Sequence, residues 1–302
     1  MTSYILKKAI DRRERELEHA KKMEERGIQE ETPLKLLDEN IKGAVNLCKD
    51  REIDYPLMVA GGEGVGKSTL ASHVVKKIAK YTNQEIDLSE SMIYSYDERD
   101  KYGHPLINSF LGFTHKYQNT HYKILWYDEA VSVLFSDDHA TRESKDAKKL
   151  FVIKREMRHF DVLIAPSFFQ IVKDIRERRI KALLYCYIEK NRETGKFEHW
   201  YAWFSSQKIV QLSLSPKARA AFRSPKSLFR IVQPDFVEKF PEMDKDFRET
   251  YLLNKHTFRS SFIDSLIGNN KTAADYLLPE NIDLTPAFDK LLGRKQTGEL
   301  AT

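Results

Sequence analysis

The stretch from Gly61 to Thr69 has the residue types and spacing of a phosphate-binding loop. It reads Gly-Gly-Glu-Gly-Val-Gly-Lys-Ser-Thr and fits the pattern GxxxxGK[ST]. The glycines let backbone N–H groups turn inward around phosphate oxygens, and a following helix would aim its positive end at the same point. We expect Lys67 to bind the β- and γ-phosphates of ATP, and Ser68 to bind Mg²⁺. The predicted nucleotide-binding residues are Gly61, Gly62, Glu63, Gly64, Val65, Gly66, Lys67, Ser68 and Thr69.

Two adjacent carboxylates, Asp128 and Glu129, follow the apolar run at residues 124–127. A buried strand that ends in acids places them at the carboxyl edge of the sheet, near the loop. Asp128 would then hold Mg²⁺ with Ser68, and Glu129 would polarise the attacking water. Many strands end in acids, so the acids alone are weak evidence, and the complete loop upstream is what makes a nucleotide site the favoured interpretation. The alternative for the loop at residues 61–69 is a glycine-rich turn that binds no ligand, and the complete GxxxxGK[ST] pattern disfavours it.

The elements that position these residues alternate between strands and helices. Such alternation predicts an α/β fold with a mainly parallel sheet and right-handed crossovers. The predicted strands cover residues 57–60, 91–96, 122–127 and 161–165, and a terminal hairpin covers 182–189 and 198–205. The predicted helices cover residues 67–81, 141–158 and 168–180, with a helix or loop over 104–117.

Three regions are predicted along the chain. Residues 1–52 form an N-terminal helical segment, with a charged helix over 4–26 and a second helix that starts at Thr32 and Pro33. Residues 53–212 form the P-loop core. Residues 213–302 contain a basic linker and a C-terminal helical region, including a helix over 243–267. The alternating charges of the first helix are typical of a solvated helix or of one that binds a protein partner.

The strand at 91–96, between the loop strand and the Asp128 strand, resembles the additional strand of one branch of P-loop ATPases, which also carry a catalytic glutamate like Glu129. This branch includes RecA-like motors, AAA+ proteins and FtsK–HerA translocases, whereas small-molecule kinases usually lack both features. Residues 154–167 and 174–179 are most similar to FtsK–HerA-type DNA pumps, zonular occludens toxin-like ATPases and viral genome-packaging ATPases. The resemblance implies a RecA-like fold over about residues 55–205.

The same resemblance implies a ring of identical subunits, in which a neighbour's arginine completes each site. Such a guanidinium stabilises the charge that develops on the γ-phosphate. Arg158 and Arg176 are the preferred candidates, and with Lys67 and Glu129 they are the predicted catalytic residues. The alternative is that each arginine lies on a solvent-exposed helix face next to acidic residues and has no role in catalysis.

Residues 215–230, here called the basic segment, hold five basic side chains and no acidic one, interleaved with Phe222 and Phe229. Basic clusters contact phosphates and aromatic rings stack on exposed bases, so the basic segment is a candidate DNA-binding surface. The alternative is a surface linker whose two phenylalanines pack into the core.

Composition sets broad limits. The chain has 302 residues with a net charge of +5, so attraction to DNA requires local clustering of charge. Cys48 and Cys186 lack metal-ligand spacing and are expected to be buried thiols in a reducing compartment. The sequence contains no signal-peptide-like stretch and no membrane span, and we expect an intracellular, cytoplasmic protein, including the case of a viral or plasmid protein in its host.

These patterns together predict an ATP-hydrolysing motor that translocates or packages DNA, of viral or plasmid origin. Two alternatives stay open: an AAA+-like helicase loader or replication initiator, and a nucleotide-dependent protein scaffold. A motor requires DNA-stimulated turnover and ring assembly, a loader requires a helicase partner, and a scaffold requires neither turnover nor DNA.

Overall fold

The computed structural model describes residues 34–95, 104–130, 134, 149, 151 and 154–267. The strands are β1 (Tyr55–Ala60), β2 (Met92–Ile93), β3 (Ile124–Tyr127), β4 (Phe160–Ala165), β5 (Ala182–Lys190), β6 (Phe197–Ser205) and β7 (Phe236–Lys239). The α-helices are α1 (Lys35–Arg51), α2 (Lys67–Thr82), α3 (Leu88–Ser91), α4 (Phe110–Lys116), α5 (Lys173–Arg178), α6 (Ser206–Leu214), α7 (Pro216–Ala221), α8 (Pro225–Ile231) and α9 (Lys245–Ile267).

The strands form one seven-stranded sheet in the order β2-β3-β4-β1-β5-β6-β7. The strands from β2 to β5 are parallel, and β6 and β7 continue the sheet in antiparallel pairing. Strand β4 lies between β1 and β3, so the loop after β1 and the acids after β3 are one strand apart at the same edge. This order confirms the predicted RecA-like P-loop fold with a terminal hairpin.

Apolar layers cover both faces of the sheet, as expected for parallel strands. Along β1, Met58 and Ala60 face the layer that contains α6, α7 and α8. Leu57 and Val59 face the opposite layer, which contains α1, α2 and α9. All four side chains are completely buried, which fixes the direction and register of the strand that leads into the loop.

Several predicted elements differ from the structure. In the stretch predicted as a strand over 91–96, Ser91 ends helix α3, only Met92 and Ile93 form a strand, and Ser95 makes an isolated bridge with Ser109. The Asp87 side chain accepts from Ser89 N at 2.8 Å, which caps this short helix and delays the strand. The predicted helix over 168–180 is a 3₁₀ turn, Phe168–Gln170, followed by α5. The buried Ile171 and Val172 separate them in extended conformation or close to it.

The basic segment is also more regular than a linker, because it folds into α7 and α8. Each of these helices starts with a serine cap and a proline in its first turn. The C-terminal helix over 243–267 is confirmed as α9, and the Asp244 side chain accepts from Phe247 N at 3.1 Å at its start. Two predictions lie outside the described residues, namely the helix over 4–26 and the helix start at Thr32 and Pro33. Most of the helix predicted over 141–158 also lies outside them, and its described end is a 3₁₀ turn, Lys154–Met157, rather than an α-helix. Arg158 follows this turn with φ 55°, which a continuing α-helix does not allow. Among the described helices, none is long and apolar enough to cross a membrane.

Candidate nucleotide-binding site

The loop at residues 61–69 joins the buried strand β1 to helix α2, which begins at Lys67. Gly66 precedes the helix with φ 89°, in the left-handed region that glycine adopts without strain. Its carbonyl accepts from Leu70 N at 2.9 Å, which starts the helical ladder. The unpaired N–H groups and positive end of a 16-residue helix therefore lie at the loop, where an anion would bind.

The loop packs tightly on the antiparallel end of the sheet. A Cβ atom at Gly61 would lie 2.4 Å from the carbonyl oxygen of Cys186 in β5, and one at Gly66 would lie 3.0 Å from Nδ1 of His199 in β6. The same ring nitrogen donates to the Val65 carbonyl at 3.1 Å. Alanine at either glycine would therefore displace the loop, and the terminal hairpin acts as its support.

The Lys67 ammonium folds back over the loop and donates to the Gly62 carbonyl at 2.6 Å. Burial lowers the pKa of Lys67 below its usual value, while the negative charges of Glu129 and Glu63 oppose that shift. The effect of Glu129 on this pKa means that its charge lies within electrostatic range of the Lys67 ammonium.

Asp128 follows β3, in which every residue is buried, and only 5% of its surface is exposed. Its Oδ1 lies 3.4 Å from Ser68 Oγ, at the start of α2. Two neighbouring oxygen ligands at about 2.1 Å from Mg²⁺ lie roughly 3 Å apart, so this pair of oxygens fits a shared Mg²⁺ ion. Glu129 is exposed. Residues 61–69 with Asp128 and Glu129 are called the nucleotide edge below.

Two residues that the sequence analysis missed contact Asp128 from α9. Tyr251 OH donates to Asp128 Oδ1 at 2.8 Å, and Lys255 Nζ lies 2.6 Å from Asp128 Oδ2. Tyr251 is 5% exposed and stacks on Trp126 of β3, with ring centroids 5.3 Å apart. The signal in the sequence is the regular placement of Phe247, Tyr251, Lys255 and Phe258 along one helix face.

The two predicted arginine fingers have different surroundings. Arg176 is 8% exposed, and its Nη1 donates to the carbonyls of Phe169 and Ile171 at 3.1 Å each. Its Nε donates to Ser213 Oγ at 3.1 Å. These contacts give Arg176 a structural role within its own chain. Arg158 pairs with Glu52 at 2.7 Å and keeps 24% of its side chain exposed, so it is the better placed of the two to reach a neighbour.

The basic segment presents its charges outward and its rings inward. Its five basic residues are all exposed; they are Lys217, Arg219, Arg223, Lys226 and Arg230. Phe222 is 4% exposed and packs against Tyr185, and Phe229 packs against Tyr187. The expectation that these two rings stack on DNA bases is therefore wrong for Phe222 and disfavoured for Phe229, because both rings pack on the core.

Comparisons with known proteins give matches in structure. No protein-family model matches the chain, and no curated protein matches it. The N-terminal domain of zonular occludens toxin from Neisseria meningitidis is similar with 9% identity and a TM-score of 0.38, over 65% of this chain and 98% of that chain. The genome packaging NTPase B204 from Sulfolobus turreted icosahedral virus 2, in complex with ATP-gammaS, is similar with 11% identity and a TM-score of 0.34, over 63% of this chain and 98% of that chain.

The class of this chain follows from its own structure, namely the strand order, the loop between β1 and α2, and the acids after β3. Together these features define a P-loop fold with a RecA-like core.

Proposed function

We propose that the chain is a Mg²⁺-dependent ATPase motor that moves DNA. The observation that supports the catalytic part most directly is the 3.4 Å approach of Ser68 Oγ to Asp128 Oδ1 across the edge of the sheet. This contact supports a phosphoryl-transfer site made from two parts that lie 60 residues apart in the sequence, and Glu129 directly follows Asp128.

Each residue at the nucleotide edge has a distinct role in this proposal. The loop N–H groups and Lys67 bind the phosphates and neutralise charge on them. Ser68 and Asp128 would hold Mg²⁺, which when bound neutralises charge on the β- and γ-phosphate oxygens. Glu129 orients the attacking water and accepts its proton, a role that suits an exposed carboxylate within electrostatic range of Lys67.

The proposed working form is a ring in which Arg158 of one subunit completes the site of the next. Its partial exposure supports this role, because a finger must leave its own chain to reach the γ-phosphate. The Arg158 guanidinium now donates to the Glu52 carboxylate. If it left Glu52 to bind a phosphate, it would make a charge-assisted hydrogen bond of the same kind.

The basic segment is the proposed DNA contact. Five exposed cations without an acid in the same stretch favour a phosphate backbone as ligand, and the buried ring of Phe222 favours contact through charge alone. Such a surface binds duplex DNA with little sequence preference, which suits a motor that tracks along a polymer.

The test is the ATPase rate of the full chain with and without double-stranded DNA, together with the mass of the particle in MgATP. The proposal predicts a multimer whose turnover rises when DNA is added, with single-stranded DNA as the comparison arm. A monomer whose ATPase rate does not change when DNA is added would contradict the motor proposal and favour a scaffold. DNA binding without stimulated turnover would favour a helicase loader or initiator.

A further inference from the structure

Helix α9 is held against the nucleotide edge by aromatic contacts on either side of Lys255. One turn before it, Tyr251 stacks on Trp126. Close to one turn after it, Phe258 stacks on Tyr94 with ring centroids 4.1 Å apart. These stacked rings fix the rotation of the helix, so the Lys255 ammonium is directed at the sheet edge.

The Lys255 ammonium has two polar contacts there. It lies 2.6 Å from Asp128 Oδ2 and donates to Tyr251 OH at 2.9 Å. The other carboxylate oxygen, Oδ1, accepts from Tyr251 and approaches Ser68. The single carboxylate of Asp128 is therefore shared between the α9 side and the loop side of the site.

Lys255 also lies close to the phosphate loop. The Asp128 carboxylate that its Nζ contacts at 2.6 Å approaches Ser68, the residue after Lys67, at 3.4 Å. Two ammonium groups at one edge of the sheet repel each other, and an anion that lies between them removes the repulsion. The terminal phosphate of a nucleotide bound on Lys67 would be such an anion.

We propose that Lys255 is a second phosphate-binding lysine of the site, which contacts the terminal phosphate of a bound nucleoside triphosphate. The inference rests on the proposed function and deepens it, because it assigns a role to a helix outside the P-loop core. Its consequence is selectivity: a diphosphate has no terminal γ-phosphate for Lys255 to contact, so α9 contributes to binding of the triphosphate alone.

If Lys255 only neutralises the charge of Asp128, the expected effect of its removal on nucleotide affinity is the opposite. In that case Lys255 competes with Mg²⁺ for Asp128, and removing the ammonium would leave binding of MgATP unchanged or make it tighter. The direction of the change in affinity therefore separates the two roles.

The test is calorimetric titration of the full chain with a non-hydrolysable ATP analogue and with ADP, both in Mg²⁺. Lys255→Gln keeps a donor for Asp128 at a side chain that is 29% exposed, so the fold should tolerate it. We expect this variant to bind the analogue about tenfold more weakly, the usual scale of a charge-assisted contact, with little change for ADP. Lys255→Arg should restore most of the affinity.

Lys245→Gln is the matched control, because it removes the same charge from an exposed position on the same helix. Unchanged or tighter binding of the analogue by Lys255→Gln would overturn the inference alone, and so would an equal loss for both nucleotides. Failure of the unaltered chain to bind either nucleotide would instead overturn the proposed function.

Discussion

At the nucleotide edge the fold holds polar groups in fixed positions, whereas in the basic segment it holds the apolar groups and leaves the charges in solvent. Asp128 is 5% exposed and lies between Ser68, Tyr251 and Lys255. In the basic segment Phe222 is 4% exposed, and every lysine and arginine is exposed.

This difference corresponds to two kinds of task. Phosphoryl transfer depends on donors and carboxylates placed to within a fraction of an ångström, so their positions must be fixed by packing. Contact with a charged polymer depends mainly on the number of cations near the surface, and flexible side chains serve it well.

The largest effect is expected from Arg158, because the proposed site is incomplete without an arginine from the neighbouring subunit. Replacing Arg158 with alanine should lower ATP turnover of the assembled protein by about 10³-fold, the lower range for an arginine finger. Arg155→Ala, at an exposed position in the 3₁₀ turn Lys154–Met157 that directly precedes Arg158, should have little effect.

Mixing two inactive variants tests whether Arg158 acts between subunits. Particles made from Arg158→Ala and Lys67→Ala subunits should recover part of the activity, because each subunit supplies what its neighbour lacks. If the mixture stays as inactive as its components, the arginine does not act between subunits.

A smaller effect is expected when the basic segment loses its charge. Neutralising Lys217, Arg219, Arg223 and Arg230 together should weaken DNA binding, and the slope of log K against log salt should flatten by up to about 3–4 for duplex DNA. The measurement is DNA affinity over a range of salt. The control is to neutralise four exposed basic residues of α1, which changes the net charge by the same amount; they are Lys35, Lys42, Lys49 and Arg51. An equal loss of DNA affinity in this control would show that DNA binding depends on net charge and not on the basic segment.

The smallest effect on DNA should come from the buried ring. Phe222→Leu should lower the free energy of unfolding by about 1–2 kcal/mol, in the ordinary range for a core substitution, and leave DNA affinity unchanged. Denaturant unfolding and DNA titration on the same sample measure both. A large loss of DNA affinity at unchanged stability would restore the base-stacking role that the structure disfavours.

The parts of the site that could be predicted from the sequence are those encoded locally. The loop glycines, Lys67 and the acids after β3 belong to short patterns whose chemistry follows from residue type and neighbouring elements. The β5–β6 hairpin likewise follows from two apolar runs around a turn that contains Gly195.

The parts that could not be predicted depend on contacts between distant residues. Tyr251 meets Asp128 across 123 positions. The spacing of the residues around Tyr251 indicates one face of a helix, but it does not indicate which strand that face packs against. Arg176 is buried because the break between the 3₁₀ turn and α5 leaves the carbonyls of Phe169 and Ile171 available, and its guanidinium satisfies both. Because arginine is charged, its residue type predicts an exposed side chain. Arg176 is buried because the break in the helix supplies carbonyl partners for its guanidinium.

Nucleotide binding and turnover of the Glu129→Gln variant test whether the chain hydrolyses ATP with Glu129 as the base. The neutral amide cannot accept a proton from water, but it leaves the loop, Lys67 and Asp128 in place. We predict that Glu129→Gln binds ATP about as tightly as the unaltered chain and hydrolyses it about 10²-fold or more slowly. Lys67→Ala should lose nucleotide binding itself. Hydrolysis at the normal rate in Glu129→Gln, or normal ATP binding and turnover in Lys67→Ala, would contradict these predictions.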